Sequence, residues 1–171
     1  MPRHRHDPSK NLVGFLVGEM TCAVRIEVVR EIVNPLEVAE LPLAPKSVRG
    51  VASFRGDVVP VVDLRDRFGL PPTQETRKSK WIIVDVAATP VVSGTEVTPA
   101  GRAAKSLAAL AVDSVTDVFG TGNAGVRPSP ALGASDAVRG IEGVTEHGDK
   151  LVFVLDVRAL RAITEAAVAV S

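Results

Sequence analysis

An all-β fold of short strands, arranged as two similar small barrels, is what this sequence predicts, and three observations carry it. Apolar residues fall in short runs bounded by glycine, proline and acidic turns, not in long helical stripes. Valine dominates those runs, and β-branched side chains pack well on a pleated surface. A strand–turn–strand unit also occurs twice: Val48-Arg49-Gly50-Val51, a turn, then Val58–Asp63 and Leu64-Arg65, against Val138-Arg139-Gly140-Ile141, a turn, then Leu151–Asp156 and Val157-Arg158. Two units of one plan point to two barrels, and barrels leave few open sheet edges.

The elements follow in order. Residues 1–10 are polar, with two prolines, and are read as a disordered tail. Leu12–Met20 and Thr21–Ile26 form a hairpin about a turn at Gly18-Glu19. Glu27–Val33 fits either a strand or one helical turn, and Asn34-Pro35 ends it. Prolines at 42 and 45 make Glu37–Lys46 a loop. Val48–Ala52 is a strand, Gly56-Asp57 a hairpin turn and Val58–Asp63 the returning strand. Pro60 argues for an edge or a bulge, because proline cannot donate to the ladder. Leu64–Phe68 fits a single helical turn that Gly69 terminates. Trp81–Val86 is a strand, and residues 87–106, rich in Ala, Pro, Thr and Gly, are a surface excursion. Leu107–Phe119 permits either helix, in its first half, or strand. Val138–Val144 and Lys150–Asp156 pair about a turn at Glu146–Asp149, and Val157–Val170 forms a short C-terminal helix packed by Leu160 and Ile163.

Composition removes several function classes. Twenty basic side chains balance twenty acidic ones, so the basic surface that supplies nucleic-acid affinity is missing. The chain has one tryptophan, no tyrosine and five phenylalanines, which leaves no stacking platform for bases or sugars. The single cysteine, Cys22, excludes a disulfide framework and reads as a buried thiol. The N-terminus has no apolar signal core and no apolar run is long enough to span a bilayer, so the expected location is the cytoplasm, without membrane insertion.

Catalytic chemistry finds little support. Metal-ligand spacings are missing: Cys22 and His147 stand alone, and His4 and His6 lie on the polar tail. No Gly-x-Ser-x-Gly elbow and no phosphate-binding glycine fingerprint occurs. Asp63, Asp66, Asp113 and Asp117 would serve acid–base work only if the fold paired them, and Asp63 reads equally well as a local hydrogen-bond acceptor at a strand end. No enzyme activity, cofactor or metal is expected. Arg49 and Arg55 stand out instead. Each precedes a glycine in an apolar segment and offers a fork of donors suited to a carboxylate, and arginine is a frequent interface anchor. The alternative for both is a local ion pair to Asp57 or Asp63.

One stretch carries a resemblance. Val48-Arg-Gly-Val51, the Arg55-Gly56 turn, Val58-Val-Pro-Val-Val-Asp-Leu-Arg65 and Phe68-Gly-Leu70 resemble the most recognisable part of CheW-like domains. Phe15–Gly18, Val29-Arg-Glu-Ile32, Leu110–Val118, Val138-Arg-Gly140 and Leu151–Leu160 extend the likeness over roughly residues 10–163. The resemblance implies two five-stranded, SH3-like β-barrels around a common apolar core and no catalysis. It implies an adaptor that binds two partners: the regulatory domain of a CheA-type histidine kinase, itself CheW-like, and the cytoplasmic tip of chemoreceptors, a helical hairpin bundle. By match, Val29, Glu31 and Ile32 fall in an element implicated in partner binding, Arg55 in receptor contact or interface geometry, and Val115 in a second strand implicated in receptor contact. The chain departs from the family at Ser53-Phe54, where Asn-Leu is usual, and in the length of loop 87–106. Those departures leave open an adaptor that binds only one of the partners. An unrelated all-β interaction module is the other alternative.

The domain division read from these elements is a tail over residues 1–10, a folded unit over 11–163 and a tail over 164–171. Within the unit, the barrels are expected at about 20–80 and 81–156, with strands exchanged at the ends.

Overall fold

The computed structural model describes residues 11–87, 106–121, 125–128 and 140–170. The expected tail over 1–10, almost all of the 87–106 excursion and the Val138-Arg139 pair lie outside the described residues. Ten strands and two helices follow in chain order: β1 (Asn11–Val17), β2 (Met20–Arg25), β3 (Val29–Val33), β4 (Val48–Phe54), β5 (Asp57–Asp63), α1 (Leu64–Arg67), β6 (Lys80–Asp85), β7 (Leu107–Val112), β8 (Ser114–Gly120), β9 (Ile141–His147), β10 (Lys150–Leu155) and α2 (Arg161–Val170). The fold is all-β, as the sequence predicts.

The strands form two five-stranded sheets, ordered β8-β1-β2-β10-β9 and β3-β6-β7-β5-β4. Both follow one plan. An antiparallel pair (β1–β2 or β6–β7) joins in parallel to the second strand of a hairpin (β9–β10 or β4–β5), and one further strand flanks the other side. We call them the outer barrel (β1, β2, β8, β9, β10) and the inner barrel (β3–β7). This corrects the expected division at about 20–80 and 81–156. The inner barrel is built from strands between Val29 and Val112, whereas the outer barrel combines strands from both sides of it. The physical reason is that β2 pairs with β10, through Cys22–Phe153 and Ala23–Val154, and not with the strands that follow it in sequence.

The internal echo is real but its register differs. Gly50-Val51 runs against Ala39, with the Val51 N–H and C=O bonded to Ala39 at 2.9 and 2.8 Å, and Gly143-Val144 runs against Arg127, with both Val144 bonds at 2.8 Å. A β-carbon on either glycine would stand 2.2 Å from the carbonyl oxygen of the strap residue. Gly50 therefore corresponds to Gly143, not to Gly140. Gly140 takes the place of Ser47: their carbonyls accept the N–H groups of Asp156 and Asp63, both at 2.7 Å.

Side-chain alternation explains the sequence runs. Along β6, Trp81 and Ile83 fill the inner barrel, with Ala109 and Ala111 of β7 beside them. Ile82 and Val84 face the other way, into a core shared with Val13, Phe15, Val17, Cys22 and Val24 of the outer barrel. Strands buried on both faces read as unbroken apolar runs. The alanines of β7, which helical propensity would favour, are the small residues that fit in the barrel interior with the indole. Leu107–Phe119 accordingly forms two strands, divided at Asp113. Leu12, Ala23, Phe119, Val152 and Val154 fill the outer barrel.

β5 lies between β4 and β7, so of the edge or bulge that Pro60 suggests the edge is excluded, while the β4–β5 pair does carry a bulge, between Val48 and Gly50. Pro60 is tolerated because its partner Val51 spends both backbone groups on Ala39, and pairing with β7 begins only at Val61. The tail expected over 164–171 is corrected as far as Val170: α2 extends to that residue and packs on β4 and β5, with Thr164 and Ala167 buried.

Candidate functional site: the barrel mouth and the shared rim

The inner barrel ends in a mouth where the β4–β5 turn meets the edge strand β3. Arg55 sits in that turn at φ +48, followed by Gly56 at φ +82. Backbone in this region is unfavourable for a residue with a β-carbon, so the turn spends strain to aim this side chain. The guanidinium is held from below by the ring of Phe54, 5.5 Å away, which gives the unusual Phe54 a local purpose. It reaches Glu31 of β3 through two bonds, Nε to Oε2 and Nη2 to Oε1, each 2.8 Å. These bonds hold the Glu31 carboxyl below the usual carboxylate range and raise the Arg55 guanidinium in turn. The arginine side chain nevertheless stays 69% exposed.

The structure thus brings Glu31 and Arg55 together. Ile32 points to the other face of β3: it pairs with Ile82, on the side of the core shared by the barrels, whereas Glu31 pairs with Ile83 of the barrel interior. Val29 and Val115 are half-buried, and each packs against the shared core, one from β3 and the other from β8. Arg49 takes the local alternative, donating from Nε to Asp63 Oδ2 at 2.9 Å, with a longer contact of 3.4 Å to Glu75.

The outer barrel repeats the mouth in different chemistry. Asp117 of β8 meets Nε2 of His147, at the end of β9, at 2.8 Å, and the imidazole stacks on Phe119 with ring centroids 3.9 Å apart. The histidine, and secondarily Thr116, lowers the Asp117 carboxyl. Val118 on the same strand is 56% exposed. The sequence places His147 alone in the Glu146–Asp149 turn; its pairing with Asp117, from the other end of the same sheet, is long-range and no local pattern announces it.

Carboxylates are matched to cations, not to each other. Asp63 caps α1 by accepting from the Arg65 and Asp66 N–H groups, besides binding Arg49. Asp113 receives Arg65. An open recess of about 310 Å³ beside them is lined by Arg49, Arg65 and Lys80 against Asp63, Glu75 and Asp113, so its charges cancel. Among the described residues no group of three or more His, Cys, Asp or Glu side chains is placed to hold a metal ion. No described helix is long and apolar enough to cross a membrane. Burial pushes the Cys22 thiol up to about 12, the opposite of an activated nucleophile.

The sequence profile of the CheW-like domain matches residues 11–164. The chain belongs to the CheW-like domain family. The probable chemotaxis protein CheW of Rhizobium etli is 24% identical over 156 residues, covering 91% of this chain and 90% of that protein. The chemotaxis protein CheW of Rhizobium meliloti is 29% identical over 137 residues, covering 80% and 77%. Among solved structures, the scaffolding protein TtCheW from Thermoanaerobacter tengcongensis superposes with a TM-score of 0.69 at 25% identity, over 86% of this chain and 88% of that one. The two sheets are therefore the two SH3-like barrels of a CheW-like domain, with the short helix α2 at the C-terminal end.

Proposed function

We propose that this CheW-like protein is a non-catalytic chemotaxis adaptor that couples chemoreceptor cytoplasmic tips to a CheA-type histidine kinase. It works in the cytoplasm, recruited to receptor arrays. The observation that carries this reading is the exposed Arg55–Glu31 pair at the mouth of the inner barrel, in a chain whose CheW-like match spans residues 11–164. Val29 and Val115 each add half-buried apolar surface at the shared core, one from each barrel, which suits the apolar face of a helical receptor tip. The mouth offers an exposed, strained arginine on a glutamate. That combination suits the edge of another barrel, such as the kinase regulatory domain, because a bidentate pair can exchange partners without leaving a charge unpaired.

The test is binding of the purified protein to the kinase regulatory domain and, separately, to a receptor-tip fragment, with wild type and Arg55→Ala. Wild type is expected to bind both; we place Arg55 at the kinase domain, in place of the receptor contact that the resemblance implies, so the variant is expected to lose the kinase domain selectively. Binding of one partner alone would mark a specialised adaptor. Binding of neither would remove the role.

A further inference from the structure

The barrels share an apolar core, and hydrophobic contacts are not directional; α2 also lays the C-terminal end of the chain on β4 and β5. Among the described residues one carboxylate makes a directional contact between the barrels. Asp113 lies at the crossing from β7 of the inner barrel to β8 of the outer barrel. Its Oδ1 and Oδ2 accept from Nε and Nη2 of Arg65 in α1, at 2.9 and 2.7 Å. Its Oδ2 also accepts from the N–H of Gly18 in the β1–β2 turn, at 2.6 Å, and its own N–H donates to Leu16 C=O at 2.9 Å. Arg65 is fixed in turn, through Nη1 to the Pro71 carbonyl at 2.8 Å. A β-carbon on Gly18 would stand 3.0 Å from Leu70, so the segment after α1 packs directly on this turn. Both side chains are largely buried, with 17% of Arg65 and 28% of Asp113 exposed.

We propose that Asp113 and Arg65 are positioning residues: their clamp to the Gly18 turn sets the angle between the barrels, and through it the binding of whichever partner spans both. Val115 follows Asp113 by two residues and packs on the shared core from the outer barrel, while Val29 packs on it from the inner barrel. A partner that touches both barrels reads the angle. A partner docked at the mouth, on Glu31 and Arg55, touches one barrel only and does not. The assignment of partners to these surfaces rests on the function proposed above; the clamp itself does not.

The test compares wild type, Asp113→Asn and the conservative Asp113→Glu by two readouts on the full chain. Residual dipolar couplings report the relative orientation of the barrels. Titrations report affinity for the receptor-tip fragment and for the kinase regulatory domain. In Asp113→Asn we expect the couplings of each barrel to fit one tensor separately but not jointly. We expect receptor-tip affinity to fall about tenfold and kinase-domain affinity to stay within about twofold, with partial recovery in Asp113→Glu. Couplings that still fit one joint tensor in Asp113→Asn would overturn the clamp, as would equal loss of both partners. If wild type binds neither partner, the functional reading fails while the couplings still decide the clamp.

Discussion

Arg55 and Glu31 face each other across the mouth of the inner barrel through two parallel bonds of 2.8 Å, yet the arginine side chain remains mostly exposed. An ion pair in that setting adds little to folding, because water screens it and two long side chains must be ordered to make it. Arg55 also occupies a backbone conformation that disfavours it. On the function proposed above, its value lies in recognition. Arg55→Gly should leave the thermal midpoint unchanged or higher, since glycine relieves the turn, and should weaken kinase-domain binding about tenfold or more. Calorimetry beside a binding titration checks both halves; a large drop in midpoint would assign Arg55 to the fold instead.

The Asp113 clamp predicts a pH dependence of definite sign. Arg65, foremost, and the Gly18 N–H hold the Asp113 carboxyl below its usual range, against the opposing effect of burial. A carboxyl with a depressed folded pKa stabilises the fold above its unfolded value, about 3.9, and that contribution disappears as pH falls through the folded value. Asp113→Asn should therefore cost about 1–2 kcal/mol at neutral pH. The gap to wild type should close in the acid range below about pH 4. Urea unfolding at a series of pH values measures it, and a gap constant down to acid would contradict the ion pair.

Gly50 and Gly143 are the points where each barrel is strapped. A methyl group on either would collide with a carbonyl oxygen that cannot move without losing two backbone bonds. Gly143→Ala and Gly50→Ala should each destabilise by about 1–3 kcal/mol, as overpacking does, with Gly50 the worse because its φ is +152. Amide exchange should accelerate at Val144 in the first variant and at Val51 in the second. Loss spread evenly over both barrels would argue against local straps.

Cys22 is fully buried with its thiol pushed up to about 12. A thiol reagent at neutral pH should leave it unmodified in the native protein and label it at the rate of global unfolding in denaturant. Fast labelling without denaturant would mean that the β2–β10 junction opens on its own.

Local chemistry made much of this fold legible. The Gly18-Glu19 turn, the cap at Asp63 and the stop at Gly69 follow from residue types that favour those conformations, whereas the turn expected at Gly56-Asp57 sits one residue earlier, at Arg55-Gly56. The ambiguous Glu27–Val33 segment resolves into a 3₁₀ turn at Ile26–Val28 and then β3, so both readings held part of it. What escaped was long-range. The parallel pairing of Cys22 with Phe153, Arg65 meeting Asp113, and Asp117 meeting His147 leave no spacing signal, because each depends on how the sheets close. For the same reason Glu31 and Arg55 stand out individually in the sequence, but their pairing across the mouth requires the topology.

The placement of the inner barrel within the span of the outer one carries a consequence for synthesis. All strands of the inner barrel leave the ribosome before β8 does, so that barrel can close on the nascent chain. β1 and β2, made first, must wait for β10, their most distant partner in sequence, before the outer sheet is complete. Until then β8 alone flanks β1, and of the outer-barrel core only Phe119 is there to meet Leu12 and Ala23. The earliest residues of the domain are therefore among the last to reach their final neighbours, and the adaptor becomes whole only as its C-terminal hairpin arrives.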